Sequence, residues 1–126
     1  MIIKLLGHII SFQTQTDFQD KYIETVIEEI RFILRENVEN NINFEKIASE
    51  YHVGYSYIRK MFKKYTGVSA KQYLIHLKIL RAKELLINSS FTIKEIAYKS
   101  GFHSGYYFSR IFKEKIGMNP SELRNR

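Results

Sequence analysis

Two short runs of polar and basic residues have the spacing of an exposed helix face. The first run is Tyr55, Ser56, Arg59, Lys60 and Lys63, and the second is Gly105, Tyr106, Ser109, Arg110 and Lys113. Side chains three, four and seven positions apart lie on the same side of an α-helix. Their guanidinium and ammonium groups bind phosphate oxygens, and a guanidinium also matches the paired acceptors of guanine. Both runs therefore have the chemistry of a surface that binds a polyanion.

The two runs belong to a pattern that the sequence repeats. An Ile-Ala pair, a Phe-Lys pair and a glycine occur in the same order in both copies: Ile47-Ala48, Phe62-Lys63 and Gly67, then Ile96-Ala97, Phe112-Lys113 and Gly117. The Ile-Ala pairs are 49 residues apart and the glycines 50, so the second copy has one extra residue in its turn. The pattern predicts two copies of a helix-turn-helix unit.

One long helix is predicted between the two copies, from Ser69 to Ser89. Ser69 and Gln72 form a capping box, and neither glycine nor proline interrupts the run. Its apolar positions at helical spacing are Leu74, Leu77, Leu80 or Arg81, and Leu85. About 20 residues at a rise of roughly 1.5 Å span about 30 Å. Successive major grooves on one face of B-DNA are about 34 Å apart, so this helix suits two consecutive groove contacts.

The whole chain is predicted to be all-α, with about seven helices. An amphipathic helix runs from Asp20 to about Asn37, and two shorter ones cover about 44–51 and 56–65. After the linker, helices begin at Thr92, which forms a capping box with Glu95, at Ser104 and at Asn119-Pro120. We divide the chain into an N-terminal arm or remnant of a preceding domain (1–20), a first helix-turn-helix lobe (21–68), the linker helix (69–89) and a second lobe (90–126).

Two further expectations concern the first lobe. Gly54 is expected to supply the positive φ of the first turn, since glycine takes that conformation without strain. On the helix that follows, four residues are expected to be buried: Ile58, Met61, Phe62 and Tyr65. Gly67 and Gly117 are expected to end their helices as C-terminal caps.

The net charge of +7 is distributed unevenly. Residues 51–126 hold fifteen basic and four acidic groups, whereas residues 21–50 hold four basic and seven acidic groups. The basic part is the part that carries the repeat, which is typical of a protein that binds nucleic acid. Solubility alone would favour a surface of mixed sign.

Several classes of function are disfavoured by what the sequence lacks. There is no cysteine, the four histidines have no metal-ligand spacing, and no glycine-rich phosphate loop or nucleophile–base pair is present. We therefore expect no metal, no cofactor and no enzymatic activity. The apolar N-terminus, MIIKLLGHII, is too short to cross a bilayer and lacks the features of a signal peptide, so a cytoplasmic protein is expected.

The residues now assembled resemble the AraC/XylS-type bacterial transcription regulators. In the second half the matching positions are Ile93, Ile96-Ala97, Gly101-Phe102, Ser104, Tyr107-Phe108, Arg110, Phe112-Lys113, Gly117, Pro120 and Arg124. The linker matches at Lys78-Ile79, Ala82 and Leu85-Leu86. The first half matches more loosely, at Ile47-Ala48, Ser56-Tyr57, Phe62-Lys63, Gly67, Ser69 and Tyr73-Leu74. The resemblance covers about residues 21–126.

This resemblance implies a sequence-specific regulator that places two recognition helices in successive major grooves of double-stranded DNA. By position it implies base contacts from Ser56, Arg59 and Lys60 in the first lobe and from Gly105, Tyr106 and Arg110 in the second. Lys60 stands where many members have Arg, which weakens bidentate reading of guanine and favours a phosphate contact as the alternative for this residue. Arg110 contacts either a base or a phosphate. Phosphate contacts are expected from Tyr55, Lys63, Thr92, His103, Ser104, Lys113 and Lys115.

Three interpretations stay open at this point. In the first, the chain is a small monomeric regulator that activates transcription and has RNA polymerase as a further partner, as the resemblance implies. Alternatively, it is the DNA-binding part of a larger effector-sensing regulator that dimerises through a preceding domain. A protein-interaction adaptor is the third interpretation, and it predicts no strong dependence of DNA binding on salt.

Overall fold

The computed structural model describes the backbone of residues 2–126 and the side chains of residues 18–126. In this part of the chain there are seven helices and no strand: α1 (Ile2–Glu36), α2 (Phe44–Glu50), α3 (Tyr55–Thr66), α4 (Ala70–Asn88), α5 (Ile93–Lys99), α6 (Gly105–Ile116) and α7 (Pro120–Arg124). The predicted all-α fold, with two helix-turn-helix units and a long connecting helix, is confirmed.

Helix α1 extends further toward the N-terminus than the pattern predicted. It begins at Ile2, whereas the prediction started it at Asp20. Residues 8–20 contain neither glycine nor proline, so their sequence has no strong signal that would end the helix there. The side chains before residue 18 lie outside the described part of the chain, and the division at residue 20 stays a prediction.

A first hydrophobic core forms where the C-terminal half of α1 meets α2, α3 and the start of α4; we call this unit the first lobe. The buried face of α1 carries Ile23, Val26, Ile27, Ile30 and Leu34, each at most 3% exposed. These residues follow one another at the short helical steps that the sequence predicted. Opposite them lie Ile58, Met61 and Phe62 of α3 and the small Ala48 of α2.

A second core forms between the end of α4 and helices α5, α6 and α7; we call this unit the second lobe. Its centre is Phe108, whose ring centroid lies 5.1 Å from that of Phe102 and 5.6 Å from that of Phe112. All three rings are buried, as are Ile96 and Ala97 of α5. Offset and tilted ring contacts of this kind add to the free energy gained by burying the apolar surface.

Helix α4 presents different faces to the two cores. Ala70 and Leu74 belong to the first core, and Ile79, Ala82 and Leu86 belong to the second. At about 100° per residue, the step of five from Leu74 to Ile79 rotates the buried face by roughly 140°. This rotation sets the orientation of the second lobe relative to the first.

One residue that the sequence placed in the core is on the surface. Tyr65 is 39% exposed, and it lies in the last turn of α3, beyond the buried residues of that helix. The prediction assumed that the apolar stripe continues to the end of the helix, and for Tyr65 it is wrong. On α4, where the sequence gave Leu80 or Arg81 as a position at helical spacing, Leu80 is 47% exposed because it lies outside both buried faces.

The two turns differ in length as predicted, but the first turn does not have the predicted conformation. Four residues separate α2 from α3 and five separate α5 from α6, which confirms the extra residue in the second turn. The positive φ of the first turn belongs to His52, at 55°, whereas Gly54 has a φ of −63° and precedes α3 as its N-cap. The prediction for Gly54 is therefore wrong. In the second turn Gly101 has a φ of 89°.

The predicted helix caps are formed with one difference. Gly67 and Gly117 end α3 and α6 in the left-handed conformation, and the capping box at the start of α4 is complete. At Thr92 the side chain accepts from the backbone N–H of Glu95, but the Glu95 carboxylate accepts from the Thr92 hydroxyl instead of the backbone. That capping box is therefore only half formed.

Candidate nucleic-acid interface

The first polar run lies on the outer face of α3. Ser56, Arg59, Lys60 and Lys63 are exposed there. The opposite side of the helix is buried in the first core, so packing holds the run outward. Tyr55 differs from the others, because it is half-buried and packs against that core.

The second polar run lies on the outer face of α6 in the same way. Gly105, Tyr106, Arg110 and Lys113 are exposed, and Tyr106 is the most open of them at 81%. A Cβ added to Gly105 would meet nothing within 4 Å, so the backbone is open to a close approach there. Lys115 is exposed too, but nine residues from Tyr106 place it roughly 180° away around the helix. The structure does not bring Lys115 together with the rest of the run.

Each run contains one arginine that rests on an aromatic ring. The Arg59 guanidinium carbon lies 5.7 Å from the centroid of the Tyr55 ring, and that of Arg110 lies 5.6 Å from the centroid of Tyr107. Both tyrosines are half-buried and pack on the cores. The rings therefore restrict the two arginines before any ligand arrives, which reduces the entropy lost on binding.

A groove of about 800 Å³ runs beside α3 and contains cations that the sequence analysis missed. In addition to Arg59, Lys60 and Lys63, it is lined by Lys64 at the end of α3 and Lys71 at the start of α4. Lys71 is distant in sequence from the predicted run and reaches the groove only through the packing of α4. Lys64 directly follows Lys63, so its charge and position could have identified it from the sequence as part of this basic surface. Among the described residues, no acidic side chain lines the groove.

The basic groups of both runs are free of acidic partners. Across residues 18–126 the ion pairs involve Arg31 with Glu28, and Arg81 with Glu39 and Glu84. None of these residues belongs to the runs on α3 and α6. Their cations are therefore available to an external anion without first breaking an internal salt bridge.

The phosphate contacts predicted at Thr92 and Ser104 involve the free backbone N–H groups where α5 and α6 begin, and that predicted at His103 involves its ring. The hydroxyl of Ser104 accepts from the Tyr107 backbone N–H and so occupies one of these donors of α6. The Thr92 hydroxyl is shared with Glu95, whose carboxylate disfavours a phosphate beside it. His103 is exposed, but its Nε2 lies 2.6 Å from Oδ1 of Asn41 in the first lobe.

The turn of the second lobe contacts both α4 and the end of the first lobe. The Lys78 ammonium donates to the Gly101 carbonyl at 2.9 Å and lies 5.8 Å from the centroid of the Phe102 ring. Burial lowers the pKa of Lys78. A Cβ added to Gly101 would lie 2.5 Å from the carbonyl oxygen of Val38, so only glycine fits against the end of the first lobe.

Two other kinds of site, a metal centre and a membrane span, are absent from the part of the chain that the structure describes. No group of three metal-ligating side chains comes together there. None of the helices in those residues is long and apolar enough to cross a membrane.

Known proteins share both the sequence pattern and the fold. A family model described as a helix-turn-helix domain matches residues 47–126, more than half of the chain. The uncharacterized HTH-type transcriptional regulator YfiF of Bacillus subtilis is 32% identical over 79% of this chain and 32% of its own length. The HTH-type transcriptional activator RhaS of Escherichia coli O139:H28 is 26% identical over 72% of this chain and 33% of its own. The chain thus spans about a third of the length of these curated relatives.

A solved structure gives the same result in three dimensions. A transcriptional regulator from Chromobacterium violaceum, described as one of the AraC-type DNA-binding domain-containing proteins, superimposes with a TM-score of 0.74. The match covers 81% of this chain and 91% of that chain, at 27% sequence identity. The arrangement of two helix-turn-helix units on one long helix is therefore shared with that protein.

Proposed function

Because this chain belongs to the AraC/XylS-type family of helix-turn-helix transcription regulators, we propose that it binds double-stranded DNA in a sequence-specific manner and regulates transcription. In this proposal α3 and α6 are the recognition helices and enter successive major grooves. The cytoplasm is its site of action, and it has a binding role rather than a catalytic one. Activation is the direction we favour, because the relative RhaS is named an activator.

The basic faces of α3 and α6 support this proposal most strongly, because their cations have no acidic partners among the described residues. Each recognition helix buries one side in its own core and presents an arginine, lysines and small polar residues on the other. Helix α4, with 19 residues, is about 28 Å long at roughly 1.5 Å per residue. That length and the groove separation of about 34 Å are compatible with simultaneous binding by both lobes.

The proposed contacts fall into two groups. Base contacts come from Ser56, Arg59, Lys60, Gly105, Tyr106 and Arg110. Phosphate contacts come from Lys63 and Lys113, supported by Lys64 and Lys71 in the groove beside α3. We rank Tyr55, Thr92, His103, Ser104 and Lys115 below them, because each is engaged elsewhere or lies away from the runs.

Selection from a random duplex pool tests the proposal. The whole chain is incubated with the pool at fixed salt, and the bound duplexes are amplified and sequenced. We expect two enriched half-motifs about one helical turn apart, near 10 base pairs. Failure to enrich any motif would contradict sequence-specific binding by this chain.

Arg110→Ala, run in parallel, assigns one of the half-motifs. If Arg110 reads a base, the variant relaxes one position of one half-motif and leaves the other half-motif intact, at a cost of about 1–3 kcal/mol on the original site. Lys83→Ala is the matched control, since Lys83 is exposed on α4 but lines neither the groove nor the second recognition helix. Uniform weakening without relaxation would instead place Arg110 on a phosphate.

A second candidate is the same DNA-binding role within a longer, dimeric, effector-sensing regulator. The observation that favours it is the coverage of only about a third of the curated relatives. The mass of the natural gene product, measured in cells by immunoblot, separates the two candidates. Contact with RNA polymerase is proposed for both and is tested by transcription in vitro from a promoter that carries the selected motif.

A further inference from the structure

A cavity lies between the two lobes, next to the groove beside α3, with which it shares Phe44 and Lys71. Its volume is about 440 Å³, within the range of small-molecule sites. The first lobe contributes Ile42 and Phe44, the second contributes Phe102 and Tyr107, and Ile75 of α4 lies between them. The walls are therefore mainly apolar and aromatic, which suits a planar apolar body rather than a bare phosphate.

Two lysines give this cavity a positive charge. Lys71 and Lys78 line it, together with the polar side chains of Asn41, His103 and Ser104. No acidic residue of the described chain is in the lining, and the neighbouring Glu39 is paired with Arg81 instead. The cavity thus has cations without counter-charges.

Lys78 is the more informative of the two lysines. Its ammonium is partly buried, donates to one carbonyl and contacts the Phe102 ring, but has no carboxylate partner. An ammonium has three N–H donors, and buried charges are usually paired. Burial lowers the pKa of Lys78 from its ordinary value, which is consistent with this lack of a compensating anion.

We infer that the cavity between the lobes binds a small organic anion, with an aromatic body between Phe44 and Phe102 and a carboxylate facing Lys78 and Lys71. Such a ligand would contact both lobes at once and neutralise the charge buried between them. The cavity borders the recognition surface, since Tyr107 of α6 lines it, but the inference does not depend on the proposed DNA binding.

Binding of 2-naphthoate to the whole chain, followed by amide chemical shifts, tests the inference. We expect saturable shifts at Ile42, Ile75 and Phe102, and at least about tenfold weaker binding of the neutral 2-naphthamide. Inorganic phosphate should not shift these three amides. Equal shifts by phosphate, or shifts by 2-naphthoate that never saturate, would overturn the inference and leave only general attraction to a basic surface.

Variants assign the binding to the cavity. Lys71→Met should reduce the affinity for 2-naphthoate about tenfold but leave that for 2-naphthamide unchanged. Lys64→Met is the charge-matched control, because Lys64 lines only the groove beside α3. Ile75→Trp should fill the cavity and block both probes. If this variant does not fold, the comparison of Lys71→Met with Lys64→Met still tests the inference. Equal weakening by Lys64→Met and Lys71→Met would contradict a site in the cavity.

Discussion

At the residue scale, the first turn carries two residues that suit their positions less well than their counterparts in the second turn. His52 takes the positive φ that Gly101 takes 49 residues later. Gly54 caps α3 without a side-chain hydrogen bond, whereas Ser104, 50 residues later, caps α6 through its hydroxyl. The sequence pointed to Gly54 for positive φ because glycine is the usual signal for that conformation. A histidine is no such signal, so the strained position two residues earlier could not be identified.

We expect His52→Gly and Gly54→Ser each to stabilise the chain. A non-glycine residue in the left-handed conformation costs about 1–2 kcal/mol, offset in part by the greater entropy of an unfolded glycine. His52→Gly should therefore raise the free energy of unfolding by about 0.5 kcal/mol. Gly54→Ser should raise it by a few tenths to about 1 kcal/mol through the new cap. Urea unfolding followed by circular dichroism measures both changes.

Gly101→Ala is the contrasting variant. It combines a φ of 89° with a Cβ that would lie 2.5 Å from the Val38 carbonyl oxygen, so we expect the free energy of unfolding to fall by more than about 2 kcal/mol.

For the first turn, a destabilising Gly54→Ser, together with a neutral His52→Gly, would contradict the assignment of the strained position to His52.

At the element scale, periodic patterns predicted the helices well because most of them bury a single face. The apolar steps of α1, α3 and α6 each follow one stripe, and the buried residues of these helices were largely those expected. Helix α4 is different, since it serves two cores that lie on different sides of it. A sequence pattern averaged along that helix mixes both faces, which explains why its apolar spacing left the choice between Leu80 and Arg81 open.

Helix α7 packs on the second core through Leu123 and also carries Arg124, whose role no local pattern reveals. Arg124 donates to the carbonyl oxygens of Leu86, Ser89 and Phe91, and so satisfies the backbone where α4 ends. The three acceptors are 33 to 38 residues away in the sequence. The match of Arg124 to the family pattern marked the position but gave no physical reason for it.

Arg124→Met should destabilise the second lobe. The variant keeps much of the apolar stem but leaves three carbonyl groups without their donor, which we expect to cost about 2–4 kcal/mol. Arg124→Lys should recover only part of this loss, because an ammonium cannot reproduce the guanidinium fork. Arg126→Met removes the same charge from an exposed position and serves as the control. Thermal unfolding of the three variants is the measurement, and equal stability of Arg124→Met and Arg126→Met would exclude the proposed role.

At the scale of the whole molecule, the candidate site depends on how the two lobes are held together. The sequence predicted both polar runs and the connecting helix, but not the contacts across the lobes. Lys78 with Gly101, His103 with Asn41, and Arg81 with Glu39 join residues 23 to 62 positions apart. Such contacts exist only after α4 has rotated the second lobe onto the first, and therefore have no local signature.

If these contacts fix the relative orientation of the recognition helices, loosening them should widen the spacing of the DNA half-sites. Lys78→Met removes the hydrogen bond to Gly101 while α4 continues to connect the lobes. In the random-duplex selection we expect one preferred spacing for the unmodified chain and a spread of one to two base pairs, roughly, for Lys78→Met, because each added pair shifts and rotates the second half-site. The half-motifs themselves should be unchanged.

Lys83→Met, an equal charge change on the exposed side of α4, should retain the single spacing. An unchanged spacing in Lys78→Met would mean that the packing of α4 against the two cores is enough to orient the lobes.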